Sequence, residues 1–496
     1  MLHNKKYLFF LFASIFLAKF HFTCCLGLEK DPTPQQNVLI TVSAHTVKGD
    51  ISTMLTGVNM SYFYDNDKMW ADGRIAKYLR ELKVGLLRYP GGCETSKFHW
   101  ETPCNHWNID LWDPNINPRT YPPTDTYMNI DDYIRQCRLI GAMPLIGINI
   151  QSGIKYNRLQ DSIDEALRWV KYCKLKNYQV TYWYLDNEPY YKHNCHALTA
   201  KEYVSYIKQF VPALRAVDPN IKIIAGWDSL LSDPRYWAEH EYLISQTHEY
   251  IDIIDLHFYW AHDYCTWDLW LKDNPMKVRQ WCRDCPQKRY VGPSFTEEIQ
   301  GFYQKVKSID PHVKLASLEW NIAPNKNAHF SSFQHALMQA EMLTQFVRGG
   351  LYMACIWPLT WEPSSIYGQM RSVLDQQKRL PTPSFYVFKL FSNVLGQKLL
   401  QSNSDQVSVP HFSALSQDGK TLWVFLLNKN GPLKTTTAVI DISGFTASRS
   451  QSLTLTSQDI SKDICELKEI PVTLNPTTGK WQTTLPPFSL TMLTFQ

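Results

Sequence analysis

Two glutamates stand out for the chemistry they could do. Glu188 ends the apolar run in TYWYLDNEPYY (Thr181 to Tyr191), and Glu319 ends the one in VKLASLEWN. Each sits where a hydrophobic stretch of strand character stops abruptly. Two carboxyl groups facing each other across a cleft can divide the cleavage of an acetal between them. One handles protons and the other attacks the anomeric carbon, at a separation of about 5 Å when configuration is retained. The proton donor must start protonated, so its surroundings are expected to raise its pKa, helped by the neighbouring negative charge. The plainer alternative is that each glutamate only caps a helix or pairs with a lysine. Arg88, Asn187, His257 and Tyr259, all at the ends of apolar stretches, weigh against it.

The elements that must position these groups follow a rhythm. Eight short apolar runs are separated by helix-length sequence: LTGVNM, GLLRYPGG, MPLIGINI, VTYWYLDNEP, IKIIAGW, IDIIDLHFYW, VKLASLEWN and MACIWPLT. Between them lie amphipathic patterns such as ADGRIAKYLREL, DSIDEALRWVKYCKLK, TAKEYVSYIKQFVPALRAV and FQHALMQAEMLTQFVRGG. Such alternation predicts parallel strands with crossover helices. A closed (β/α)8 TIM barrel and an open doubly wound sheet both satisfy it. The strand ends favour the barrel, because Asn59, Arg88, Asn149, Glu188, Trp227, His257, Glu319 and Trp357 would converge on one face.

Past Pro381 the pattern becomes TLWVFLLNKN, TTAVIDIS, SLTLTS and FSLTMLTFQ, short alternating runs divided by turn residues. These predict a C-terminal antiparallel β-sandwich. The expected organisation is a leader over 1–27, a linker with strands that join the sandwich over 28–50, a catalytic barrel over 51–380 and the sandwich over 381–496. Lys5 and Lys6 followed by YLFFLFASIFLA read as a signal peptide, with an uncleaved anchor as the lesser reading. Export follows, to the outside of the cell or to the periplasm of a bacterium, with no stable membrane span after cleavage. The formal net charge is only +4 and the basic residues are dispersed, so nucleic acid is excluded as a partner class. Oligomeric state is not legible.

In an oxidising compartment some cysteines should pair, and Cys93 with Cys104 and Cys173 with Cys195 are the candidate pairs. Cys355, inside an apolar run, reads as a buried free thiol. His262, Cys265, Cys282 and Cys285 have zinc-like spacing, for which disulfides are the alternative reading. No cofactor or catalytic metal is expected. The aromatics Tyr190, Tyr191, Trp227, Trp260, Trp320, Trp357 and Trp361 cluster at strand ends, where flat rings suit the C–H faces of sugars. Filling the barrel or the helix layer is the alternative for about half of them. Trp357 is the first choice for a floor under the sugar, Trp227 and Trp320 are further substrate-binding candidates, and Asn59 reads as part of the site wall. The long loop from His99 to Pro123 would wall one side of the cleft.

The chain resembles the clan A glycoside hydrolases, in which an Asn-Glu ends strand four and a Glu ends strand seven. Here these are Asn187-Glu188 and Glu319. LRYPGG followed by FHW, together with LEWN, resembles family 51 α-L-arabinofuranosidases, and the closing LPPFSLTMLTF also fits families 30 and 39. The resemblance implies a retaining hydrolase of a cell-wall or related polysaccharide or oligosaccharide, arabinofuranosidase-like or endoglucanase-like. It implies Glu188 as acid/base, Glu319 as nucleophile and Asn187 on the sugar 2-hydroxyl. Arg88 and Tyr259 would hold Glu319 ionised, with His257 beside them. Asp186 and Pro189 in LDNEP are closer to families 44 and 39, and Cys93 and Glu94 depart from the residues expected after the PGG turn. These differences bear on the sugar rather than on the reaction class. A binding protein on the same scaffold that has lost catalysis is the alternative.

Overall fold

Eight parallel strands close into a barrel in a computed structural model of the chain. They are Gly57–Asn59, Leu86–Tyr89, Met143–Ile148, Tyr182–Leu185, Lys222–Gly226, Ile253–His262, Lys314–Pro324 and Met353–Ile356. Each coincides with part of one of the eight apolar runs. The structure describes residues 36–496 except 63–66, 105, 107, 122–127, 263–264, 283–288, 325–329, 361–369, 376 and 432–435. The leader over 1–27 and Trp361 therefore lie outside the described residues. Among the described residues no helix is long and apolar enough to cross a membrane.

Strand periodicity sorts the side chains into two layers. Leu86, Leu145, Tyr182, Tyr184, Ile224, Ala316 and Met353 fill the barrel interior, and their neighbours Leu87, Ile146, Trp183, Ile223 and Ala354 pack outward against the helices. The helices start where side chains satisfy their free N–H groups. Thr199 with Glu202, Ser294 with Glu297 and Ser331 with Gln334 form reciprocal caps at Ala200–Val217, Phe295–Val306 and Ser332–Gly349. Between the sixth and seventh strands the chain inserts the helix Trp267–Lys272 and a hairpin, Lys277–Trp281 with Arg289–Ser294.

The second unit is a ten-stranded sheet folded over its own core. Its pairs are antiparallel except one: Gln36–Asp50 runs antiparallel to Lys398–Ser404 and parallel to Thr436–Ser443. Leu422, Val424 and Leu426 face the sandwich core, while Phe425 and Leu427 face the barrel's helices. That double burial explains why LWVFLLN is apolar without alternation. Phe391 on the helix Pro383–Phe391 packs on Phe412 and Phe425 at ring distances of 5.4 and 5.1 Å.

One ion pair is sealed into this junction. Lys429 Nζ lies 3.0 Å from Glu341 Oε2, both side chains almost fully buried, and 4.6 Å above the Trp270 ring. Trp270 Nε1 and the Met276 amide also donate to Glu341. Removing one partner of such a pair strands a buried charge, at a typical cost of about 3–5 kcal/mol. Lys429→Met is therefore expected to lower the midpoint of urea unfolding strongly. Adding Glu341→Gln should recover part of the loss, and no recovery in the double variant would refute the pairing.

Several cysteine expectations are corrected. Cys93, Cys104, Cys173 and Cys195 are all free, so neither candidate pair forms. Cys355 is a buried free thiol, as expected. Cys282 is disulfide-bonded, so its thiolate is lost to the zinc reading. Cys285 and the side chain of His262 lie outside the described residues.

Candidate active site

The C-terminal ends of barrel strands two, four, six and seven place Arg88, Asn187, Glu188, His257, Tyr259 and Glu319 in one buried cluster. On strand six, Asp255, His257 and Tyr259 alternate inward, and His257 pairs in register with Glu319 on strand seven. One carboxylate oxygen of Glu188, one of Glu319 and a ring nitrogen of His257 all lie within 4.8 Å of one another. His257 Nδ1 is 2.9 Å from Glu188 Oε1 and 3.5 Å from Glu319 Oε2, and its Nε2 is 3.1 Å from Asp255 Oδ2.

Glu319 reaches the cleft through a β-bulge. The register of strand seven slips between Ser317 and Trp320 against strand eight, so one extra residue is accommodated there. The freed Leu318 peptide is caught on both sides. Its N–H donates to Asp255 Oδ1 at 2.7 Å, and its carbonyl accepts from Asn59 Nδ2 at 2.8 Å. Glu319 then accepts from Arg88 Nη1 at 2.7 Å and Tyr259 Oη at 2.8 Å.

Arg88 is fully buried, with its guanidinium 4.3 Å over the Tyr184 ring. Burial opposes its charge, but Tyr184, Glu319 and Asp255 outweigh that and raise its pKa. Its Nη2 donates to Asn187 Oδ1 at 2.7 Å. The Asn187 amide is thereby oriented with its N–H group toward the cleft, where among the described residues it meets only the Cys93 sulfur at 3.9 Å.

Glu188 departs from expectation. Burial would raise its acid, but hydrogen bonds from His193 (3.1 Å) and His257 outweigh this and hold it well below the usual carboxylate range. His257 is correspondingly raised, since Glu319, Asp255 and Glu188 overcome the burial that would discharge it. His193 is pushed up to about 10, burial being overcome by Cys93 and Glu188. These opposed directions favour the proton on an imidazole one hydrogen bond away over the Glu188 carboxyl group.

Three candidate residues do not line the cleft. Asn59 is fully buried, and its amide donates to the carbonyls of Leu318, Cys355 and Ile356 while its Oδ1 accepts from Arg88. It braces the machinery and leaves nothing for a sugar. Trp320 follows Glu319 and so points outward, stacked on Phe388. Trp227 also faces the helices, stacked on Tyr203 and donating to Glu239. Trp260 is likewise buried. Trp357 keeps 9% exposure and lies beneath the PGG turn, where a Cβ on Gly92 would fall 2.5 Å from its ring. Glycine at 92, with φ of 57°, is what lets the loop after strand two close over that indole.

That loop is clamped by a buried charged cluster. His99 Nδ1 is 2.9 Å from Glu165 and its Nε2 is 3.0 Å from Asp110, with the imidazole stacked on Trp112. Asp110 also accepts from Ser152 and Asn194. Burial opposes the His99 charge, but Asp110 and Glu165 push its pKa up to about 9. A folded pKa above the unfolded value stabilises fully below about 6.5, and the contribution is lost as pH rises through about 9. The melting gap between wild type and His99→Gln is expected to be widest near pH 6, roughly 3 kcal/mol, and to close by about pH 10. A gap that stays constant over this range would rule the charge out.

Sequence reasoning missed His193, Asp255 and Tyr184. Tyr184 and Asp255 were legible as inward partners, two positions before Asp186 and His257 respectively. His193, in the irregular YYKHNC segment, carried no periodic signal.

Comparison with known proteins gives a consistent picture. The alpha-L-arabinofuranosidase 1 domain matches residues 78–283, and the alpha-L-arabinofuranosidase C-terminal domain matches residues 318–489. The chain is 28% identical over 221 residues to alpha-L-arabinofuranosidase C of Emericella nidulans, covering 38% of this chain and 40% of that protein. It thus spans about two fifths of the length of that relative and of its Aspergillus fumigatus counterpart. The structure of an alpha-L-arabinofuranosidase from Thermotoga maritima, an arabinose complex, superposes with a TM-score of 0.69 at 20% identity, covering 92% of this chain and 99% of that one. A family 44 xyloglucanase of Paenibacillus polymyxa superposes at 0.64 and 15% identity, covering 93% and 100%.

Proposed function

We propose that this chain, which belongs to the clan A glycoside hydrolases close to family 51, hydrolyses terminal α-L-arabinofuranosyl linkages of polysaccharide or oligosaccharide with retention of configuration. The observation that carries the reading is the approach of Glu188 and Glu319 to within 4.8 Å around one imidazole. That spacing leaves no room for a water between a carboxylate and the anomeric carbon, and so favours direct attack.

Glu319, oriented by Arg88 and Tyr259, attacks the anomeric carbon from one face. Glu188 takes a proton from the imidazole of His257 or His193, passes it to the departing oxygen and is left as a carboxylate. Asn187 donates to the sugar 2-hydroxyl, a contact that strengthens as the ring becomes oxocarbenium-like. Water then attacks the glycosyl ester with Glu188 as base, and Glu319 leaves as a carboxylate. Export is part of the same reading, supported by the apolar run Tyr7 to Ala18.

The test is turnover of 4-nitrophenyl α-L-arabinofuranoside beside aryl β-D-glucosides, aryl β-D-xylosides and xyloglucan, with the product anomer followed by proton NMR. Arabinofuranoside cleavage releasing the α-anomer first is expected. A β-anomer first would overturn the mechanism, preference for xyloglucan would overturn the sugar assignment, and binding without turnover would make the chain a lectin-like relative.

A further inference from the structure

A second constellation shares Glu188. Cys93 Sγ, a ring nitrogen of His193 and a carboxylate oxygen of Glu188 all lie within 4.8 Å of one another, and His193 Nε2 is 3.1 Å from Glu188 Oε2. Cys93 is a free, partly exposed thiol in the turn Gly92–Lys97. None of the steps above uses its sulfur. Its approach to His193 comes from two loops that are bolted together. Asn194, next to His193, donates to Asp110 at 2.7 Å and to the Ser96 carbonyl at 2.7 Å, and its amide donates to Gln151 at 2.9 Å. The segments that carry the donor atoms are thus tied to one another by hydrogen bonds.

Thiolate, imidazole and carboxylate are the ligand types that zinc takes, at about 2.3, 2.0 and 2.1 Å respectively. Three such ligands arranged tetrahedrally stand about 3.3–3.7 Å from one another, so these side chains need only small shifts to surround an ion. We propose that Cys93, His193 and Glu188 bind a thiophilic divalent cation of the zinc class, and that its binding switches the hydrolase off. The thiol proton and any proton on the imidazole leave to bulk water as the ion enters. A Glu188 oxygen committed to the ion can neither protonate a leaving group nor activate water. The switching half rests on the assignment of Glu188 as acid/base. The binding half does not.

Cobalt(II) is the probe. Titrating the metal-free full chain with Co2+ is expected to produce a near-ultraviolet thiolate-to-cobalt charge-transfer band that saturates at one equivalent. Zn2+ should bleach it with a Kd in the micromolar range or tighter, and should block alkylation of Cys93 by iodoacetamide. Cys93→Ser should lose the band and bind Zn2+ at least tenfold more weakly. Absence of the band in wild type, or a Cys93→Ser protein that binds Zn2+ unchanged, overturns the site. Should the variant fail to fold, the wild-type band and the zinc protection of Cys93, mapped by mass spectrometry, still decide. Zinc that binds here without slowing turnover overturns the switch. A band in a protein with no glycosidase activity would leave the ion site standing and refute the proposed function instead.

Discussion

Glu319→Ala is expected to lower kcat on an aryl α-L-arabinofuranoside by roughly ten-thousandfold, as removal of a covalent nucleophile does. The reason is geometric. The bulge between Ser317 and Trp320 aims one carboxylate at the anomeric carbon, and Arg88 and Tyr259 fix both of its oxygens. Alanine leaves a gap the size of a small anion beside an unpaired guanidinium. Added azide should therefore restore part of the rate and yield a glycosyl azide of inverted configuration. Rescue separates a lost nucleophile from a damaged fold, because a misfolded barrel would not respond. Unchanged kcat would remove Glu319 from the mechanism, and slow turnover without rescue would make its role structural.

Glu188→Gln is expected to show a different signature. The amide keeps the size of the side chain but cannot give up a proton to the departing oxygen. With an alkyl arabinofuranoside or a polysaccharide, kcat/KM should fall by roughly a thousandfold, a typical worth for a general acid. With a dinitrophenyl leaving group, which departs without protonation, the loss in kcat/KM should be under about tenfold. Deglycosylation also loses its base, so a burst of dinitrophenolate followed by slow steady turnover is expected. An equal loss across all leaving groups would point to distorted binding, and Glu188 would no longer be the acid. The pKa directions add a further expectation: because Glu188 is held down by His193 and His257, its proton donation is coupled to theirs.

Much of this was legible from spacing. The runs ending in Arg88, Glu188, His257 and Glu319 announced their own direction, because period-two alternation with an apolar barrel interior leaves few places for an ionisable group. The same rule argued against Trp320, whose neighbour Glu319 already claimed the inward face, and against Trp227, which alternates with inward Ile224 and Gly226. What the chain did not reveal depends on contacts between distant segments. A bulge leaves no mark in a sequence, and the pinning of Leu318 by Asp255 and Asn59 joins three strands. His193 lies in an irregular loop, and its effect on Glu188 arises only once that loop is tied to Asp110 and Gln151. The expected rise in the Glu188 pKa failed for the same reason: two imidazoles, one of them unforeseen, outweigh the burial that was foreseen.

The strand Gln36–Asp50 has a bearing on how the chain is made. Its partners, Lys398–Ser404 and Thr436–Ser443, leave the ribosome roughly 20–80 s after it does, at synthesis rates of about 5–20 residues per second. Throughout that interval a fifteen-residue ribbon with Val38, Ile40 and Val42 on one side has no mate, while the barrel behind it is already able to close. Nascent chains halted before the last hundred residues would keep that ribbon bare. Quality control is then expected to discriminate among them by its exposure, independently of whether the catalytic unit has folded.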